Sequence, residues 1–484
     1  MTPRPKQIHL AAHFPGVNNT TVWTDPRSRS QIDIDSFVHL ARKAEEGLFD
    51  FFFLAEGLRL REQGNRIFDL DVVGRPDTFT VLQAIAGVTT RLGLAATINT
   101  TFNEPYELAK QFATLDHLSE GRAAWNIVTS PDAFTGENFR RGGFLDYGLR
   151  YDRAAAVVSA ARRLWDSWGR PPRIDRAAGV FAADEDLAPV DLHDGHVDIT
   201  GRFEVPRSPQ GQPVLLQAGD SSAGREFAAG HAEVIFSRHG TLADGQAFYA
   251  DVKRRLPAYG RHADDLKILP GVSVVLGDTR QEAEDNARRI ARQQVGPQTA
   301  IAFLEQVWGT DLSGYDPDGP LPAVDPSPHA TITRGRVRHD RDPVAVATAW
   351  RARAETEGLS IRDLVVAETH RQQFVGTADQ VADEMNRYVQ SDACDGFILV
   401  PHLTPGGLDD VIDRVVPRLQ DRGVFRTSYE GATLRDLLGS RPAAPSAAVR
   451  SGPSAASATA AADQGDPGPT APSTGRRGPV GVRG

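Results

Sequence analysis

The sequence predicts an α/β fold, a (β/α)8 TIM barrel carrying insertions, and three observations point there. Eight short apolar runs of strand length alternate with stretches of helical periodicity between residues 8 and 400. Residues 101–130 show the repeating unit in full, a helix that passes directly into a buried strand with a polar end. With 484 residues, 40% of them hydrophobic, the chain can also bury a large core. Right-handed parallel crossovers close such a sheet at eight strands.

Residues 8–14 (IHLAAHF) read as the first strand, 33–47 as the helix behind it, and 50–56 (DFFFLAE) as the second strand. A helix near 77–90 precedes the third strand, RLGLAATI. Pro105 then opens a helix where a first-turn proline is tolerated, since its missing N–H would lack a helical partner anyway. Leu108, Phe112, Leu115 and Leu118 recur at three- and four-residue spacing and form one apolar face. Gly121 closes that helix, and RAAWNIVTS supplies the fourth strand, ending in Asn126, Thr129 and Ser130. An amphipathic helix covers 147–168, and LLQAG is the fifth strand. A helix from Ser221 leads to EVIFS, the sixth, and a helix over 241–258 precedes the seventh at 266–277. GFILV, 396–400, is the eighth.

The fold typically needs ~250 residues, so the excess must be inserted. Residues 170–212 and 309–345 are polar and rich in Pro, Asp and Gly, and loops of such length are commonly lids or binding loops. One barrel domain is expected over 1–439. Residues 440–484 are mostly Ala, Pro, Ser and Gly, cannot offset the entropy of ordering, and should form a disordered tail.

Net charge is −9 and no dense basic stripe occurs, which argues against nucleic acid as a partner. Cys394 is the only cysteine, so no internal disulfide can form and a reducing compartment is the default. No run approaches the ~18 apolar residues of a membrane span and the N-terminus lacks a signal-like core, so a cytoplasmic protein without a membrane partner is expected.

Chemistry should gather where the strands end. After the fifth strand, Gly219, Asp220, Ser221, Ser222, Ala223 and Gly224 lead into a helix. Free N–H groups, hydroxyls and small side chains at a helix N-terminus suit a phosphate, although an N-cap role alone would account for Asp220 or Ser221. Tyr147 and Tyr151 are four apart and share a helix face, facing either a ligand or the core. His9 and His13 face the same way on strand one but lie some 13 Å apart, too far to bind one ion, so no metal site is expected. His13, near the strand exit, is a pocket candidate with Phe14 and Trp23, and Phe52, Phe102 and Trp125 are expected around the same apolar mouth. No GxGxxG follows a strand and no P-loop occurs, so no built-in dinucleotide site is expected.

The segments FNEPYELAKQFATLDHLSEGRAAWNIVTS, NFRRGG, LRYDRA, LWDSW, RSPQGQPVLLQAGDSSAGREFAA, FVGTADQVADEM and GVFRTSYEGATLRDLLG together resemble the nitrilotriacetate/dimethyl-sulfide monooxygenase family. These are flavin-dependent members of the bacterial luciferase-like superfamily, and the resemblance spans approximately residues 8–439. It implies a luciferase-like barrel and reduced FMN (FMNH2) delivered by a separate NAD(P)H:flavin reductase. It further implies O2 activated as a flavin–oxygen adduct and a small organic substrate oxidised at a C–N, C–S or similar bond. Ser221 and Tyr151, with Ser222 beside them, match positions at the FMN phosphate. Thr97 and Asn126 match polar positions lining the flavin and become candidates for hydrogen-bonding its edge and the bound oxygen. Glu56 stands where the family usually has Asp, and Tyr147, a further catalytic candidate, where it usually has His; the resemblance implies that both also help to bind the FMN. Relatives tend to pair, so a homodimer or homotetramer is expected. Two rival readings are a deazaflavin-dependent oxidoreductase of the same superfamily and a non-catalytic flavin-binding protein.

Overall fold

The computed structural model describes residues 5–18, 20–60, 62–63, 66–67, 74–130, 133–139, 147–169, 172, 174–327, 333–334, 342–369 and 372–441. The expected disordered tail lies outside these residues except for Ser440 and Arg441.

Eight parallel strands close into a barrel: β1 His9–Phe14, β2 Phe51–Leu54, β3 Gly93–Asn99, β4 Ala123–Val128, β5 Val214–Gln217, β6 Val234–Ser237, β7 Lys267–Leu276 and β8 Gly396–Leu399. Each pairs with the next in sequence, and β8 pairs with β1 to complete the ring. A further parallel strand, Gln373–Gly376, extends the sheet beside the C-terminal half of β7. The outer layer includes α1 Ile34–Glu46, α2 Thr78–Ala86, α3 Pro105–Leu118, α4 Arg150–Asp166, α5 Ser222–His231 and α6 Leu242–Arg255. Caps fix where several begin. Asp77 accepts the Thr80 N–H ahead of α2, and Thr241 and Asp244 cap each other's main chain at α6.

Side-chain alternation divides the apolar residues between two cores. Ala11, Phe51, Phe53, Ala95, Ala124 and Leu216 point into the barrel. Their neighbours Phe14, Phe52, Leu94, Ala96 and Trp125 point outward, into the layer under the helices. Phe14 stacks on Phe37 of α1 at 4.1 Å between ring centroids, and Trp125 on Phe112 of α3 at 5.1 Å. The expectation that Phe14, Phe52 and Trp125 line the mouth is therefore corrected: each sits one residue out of phase with the inward set. Leu118 likewise leaves the predicted α3 face and is exposed.

The N-terminal end of the barrel is filled by the C-terminal segment. Leu434 and Leu438, in and after a short helix Leu434–Leu437, join the inner core. A side chain on Gly93 would place its Cβ 2.6 Å from Leu434. Gly121, with φ +89°, turns the chain out of α3 where a Cβ would meet Thr433 at 2.8 Å. Arg426 binds the buried Asp50 at 2.6 Å, and Arg435 pairs with Glu233. Asp50 also accepts the Leu10 N–H at 2.9 Å and contacts His9 Nδ1 at 3.1 Å. His9 thus serves this end, with its side chain tied to structure.

Within 170–212 the chain forms an antiparallel hairpin, Val190–His193 with Asp198–Gly201. After β7 come α7 Arg280–Gln294, α8 Pro297–Trp308, α9 Pro343–Glu357 and α10 Ile361–Thr369, around a small core that includes Leu304 and Trp308. Of the expected loop 309–345, residues 328–332 and 335–341 lie outside the described residues. Thr333–Arg334 pairs antiparallel with Glu62–Gln63, from the segment after β2.

Candidate active site at the C-terminal mouth

The inward phase of β3 and β4 continues past the apolar layer into polar residues. Thr97 and Asn126 stand directly opposite each other in the strand register. Asn126 Nδ2 donates to Thr97 Oγ1 at 2.9 Å, and both side chains are buried. Asn126 Oδ1 is also buried and has no partner among the described residues. A buried acceptor left in that state costs about 1–3 kcal/mol, so the position suits a ligand that donates to it.

Two residues further along the same face, Asn99 ends β3. Its main-chain N–H and side-chain amide both bind the Glu56 carboxyl, each contact at 3.1 Å. Burial pushes the Glu56 carboxyl up to about 8, with the Asn99 hydrogen bonds opposing and the nearby Asp77 charge adding to the rise. At neutral pH this acid is mostly protonated. The Arg75 guanidinium donates to the main-chain oxygens of Glu56 (3.3 Å) and Pro15 (2.9 Å), tying the ends of β1 and β2 together. His13 turns inward at the end of β1, its ring 5.3 Å from that of Phe53.

Beside β4 in the ring lies β5, and the turn between β5 and α5 follows it. Ser221 caps α5, its Oγ accepting the Gly224 N–H at 3.1 Å, and Ser221 and Ser222 are exposed. The Tyr151 hydroxyl of α4 rests against this turn. A Cβ on Gly219 would lie 2.9 Å from that oxygen, and one on Gly224 2.8 Å. Two glycines, two hydroxyls, the phenol and the free N–H groups of a helix N-terminus make a concave cradle suited to a phosphate.

The structure thus places His13, Glu56, Thr97 and Asn126 around the inner mouth and Tyr151, Ser221 and Ser222 at the β5–α5 turn. Phe14 points away, as described. Trp23 is half-exposed on the segment after β1, next to Val22, whose N–H binds the His402 carbonyl beyond β8 at 2.7 Å. Tyr147 begins the single turn Tyr147–Leu149, and its side chain lies outside the described residues. Asn99, Arg75 and Arg153 were not foreseen. Asn99 carried a signal, since it shares the face of Thr97 two residues away. Arg153 is buried in α4 and donates to the Thr100 carbonyl at 2.9 Å and the His196 carbonyl at 3.1 Å, joining the β3 end to the hairpin. Among the described residues, no group of three or more His, Cys, Asp or Glu is arranged to hold a metal ion, and no helix is long and apolar enough to cross a membrane.

Comparison with known proteins agrees with this geometry. The family described as luciferase-like monooxygenase matches residues 16–393. The chain is 39% identical over 436 residues to nitrilotriacetate monooxygenase component A of Aminobacter aminovorans, covering 87% of this chain and 93% of that protein. It is 37% identical over 448 residues to N-acetyl-S-(2-succino)cysteine monooxygenase of Bacillus subtilis (strain 168), covering 91% and 98%. Among solved structures, DmoA from Hyphomicrobium sulfonivorans superposes with a TM-score of 0.75 at 28% identity, over 93% of this chain and all of that one.

Proposed function

The chain belongs to the luciferase-like monooxygenase family, and from that premise we propose that it is an FMNH2- and O2-dependent monooxygenase, the oxygenase component of a two-component system. The observation that carries this reading is the cradle at the β5–α5 turn, on the strand next to the one that holds a buried acceptor without a partner among the described residues. Both features suit a flavin mononucleotide. Tyr151, Ser221, Ser222 and the first N–H groups of α5 would hold the phosphate. Asn126 Oδ1 would accept from a ring N–H, while Thr97 keeps the amide from turning. Bound reduced FMN supplies the two electrons that activate O2.

The rest falls to the chain itself. Phe51, Phe53 and Leu216 fill the barrel below the polar layer, so water cannot approach from beneath. Thr97, Asn99 and Asn126 present fixed dipoles at the mouth, already oriented before any charge develops. The substrate class we propose is a small compound with a C–N or C–S bond. In support, the relatives' names specify nitrilotriacetate, N-acetyl-S-(2-succino)cysteine and dimethyl sulfide as substrates. The name component A in one relative supports a second component, here an NAD(P)H:flavin reductase. A cytoplasmic homodimer or homotetramer completes the proposal, and sedimentation velocity tests the assembly.

The direct experiment is anaerobic titration with reduced FMN, followed by air and a panel of amines, thioethers and sulfones read by mass spectrometry. Saturable binding and a product carrying one atom of labelled O2 are expected. Absence of reduced-FMN binding would refute the reading. Turnover with reduced deazaflavin in the absence of O2 would replace it with the dehydrogenase alternative.

A further inference from the structure

Glu56 lies two residues past β2, beside the last residue of β3. Every hydrogen bond described for its carboxyl comes from Asn99, one from the main-chain N–H and the others from the side-chain amide. Asn99 is held in turn: its Oδ1 accepts the Phe102 N–H at 2.7 Å and its carbonyl accepts from the Asn103 amide at 2.9 Å. One pleat deeper on the same face, about 7 Å along the strand, Thr97 holds Asn126. The carboxyl therefore ends a polar row, Asn126–Thr97 then Asn99–Glu56, that crosses β4, β3 and β2 at the mouth.

Among the described residues, the charged groups around Glu56 do not neutralise it. Asp77, which caps α2, is itself an acid. The Arg75 guanidinium donates to main-chain oxygens, that of Glu56 included. Arg59, on the segment after β2, pairs with Glu137 at 2.5 Å. From the neighbouring strand β1 comes His13, whose ring lies 5.3 Å from that of Phe53. A carboxyl in that setting is better tolerated with its proton on than off.

We propose that Glu56 is the acid of this site: it gives its proton to the oxygen atom that leaves as water when the other atom of O2 passes to the substrate. This rests on the monooxygenase reading above and deepens it. Two electrons and two protons enter with the reduced flavin, one oxygen atom forms a bond to the substrate, and the other departs as water. The proton lent by Glu56 is replaced from solvent as the oxidised flavin releases its own, so the carboxyl ends each turnover as it began. The rise of its carboxyl to about 8 keeps it loaded at neutral pH.

Glu56→Gln tests this, because it keeps the shape and an oxygen for Asn99 but has no acid proton. In infrared difference spectra of flavin-free protein, wild type minus E56Q, the C=O stretch of a protonated carboxyl should be present at about pH 6 and fade as pH rises through about 8. Asp116, another carboxyl pushed up by burial, cancels in the difference. Turnover of E56Q should fall by ~10²-fold or more while reduced-FMN affinity is retained, and Glu56→Asp should restore much of the rate. Absence of the band at about pH 6 overturns the proposal, as does an E56Q enzyme with the wild-type rate and pH profile. Failure of the wild-type protein to bind reduced FMN would instead strike the flavin reading and leave the infrared result standing.

Discussion

Gly224→Ala sets two effects of opposite sign against each other. Gly224 occupies the third position of α5, where alanine is the better helix former by up to about 1 kcal/mol. The added Cβ, however, would lie 2.8 Å from the Tyr151 hydroxyl and 3.1 Å from the Gly219 backbone. Overpacking of that kind costs about 1–3 kcal/mol, so the propensity gain offsets it only in part and net stability should fall by about 1–2 kcal/mol. The function should suffer more. If the phenol is displaced, a hydrogen bond to a charged phosphate worth about 1.5–3 kcal/mol is lost, which is roughly 10- to 150-fold in reduced-FMN affinity. Tyr151→Phe removes the same donor together with the oxygen that meets the new methyl. The two substitutions should therefore fail to add: G224A with Y151F should bind reduced FMN about as poorly as Y151F alone, and be more stable than G224A. Anaerobic titration and urea unfolding of the four proteins complete the cycle. Additive losses in both measurements, or a G224A protein with full affinity, would refute the cradle.

Three further outcomes follow from the packing. Phe14→Ala should destabilise by about 3–5 kcal/mol in urea unfolding, while KM for any accepted substrate stays within about twofold, because the ring stacks on Phe37 under α1 and away from the mouth. Leu438→Ala should cost about 2–5 kcal/mol by opening a cavity at the closed end, with reduced-FMN affinity unchanged. For Asp50, burial raises the carboxyl, but Arg426 and His9 hold it below its ordinary value of 3.8. Its contribution is present above that value and lost as pH falls through the lower one, so Asp50→Asn should flatten the acid limb of a melting-temperature profile.

The strands were legible because each is a short apolar run between turn residues, and all eight were found to within a few residues of their observed limits. Which face each residue takes was harder. Strands covered on both sides are apolar throughout, so DFFFLAE carries no alternation to read. One constraint was nevertheless available. His13 and Phe14 are adjacent on β1 and cannot both enter the pocket, and fixing the polar residue inward sends the ring outward, where it is found. The same parity, counted from Thr97, leads to Asn99. By contrast, nothing local announces that Leu434 and Leu438 fill the barrel from over 300 residues away, or that Gly93 is small to admit them. The phosphate cradle was readable as a motif around Ser221, but the placement of the Tyr151 hydroxyl over two glycines depends on how α4 packs against α5.

The acid at Glu56 has a consequence for stability that separates it from an ordinary surface carboxylate. In the unfolded chain it titrates near 4.5, and in the folded protein near 8. Between those values the folded state binds more protons than the unfolded one, so unfolding free energy falls as pH rises across that window. The contribution is whole below about 4.5 and gone above about 8. At 1.36 kcal/mol per pH unit, the three and a half units between those values correspond to about 5 kcal/mol as an upper bound, and partial exposure of the carboxyl reduces this to about half. Glutamine at this position cannot ionise and escapes the penalty. The wild type and Glu56→Gln should therefore unfold at similar urea concentrations near pH 5, diverge in favour of the variant towards pH 8, and run parallel beyond it. A gap that is constant with pH would show that the carboxyl is ionised throughout, and that its proton is not held at the mouth.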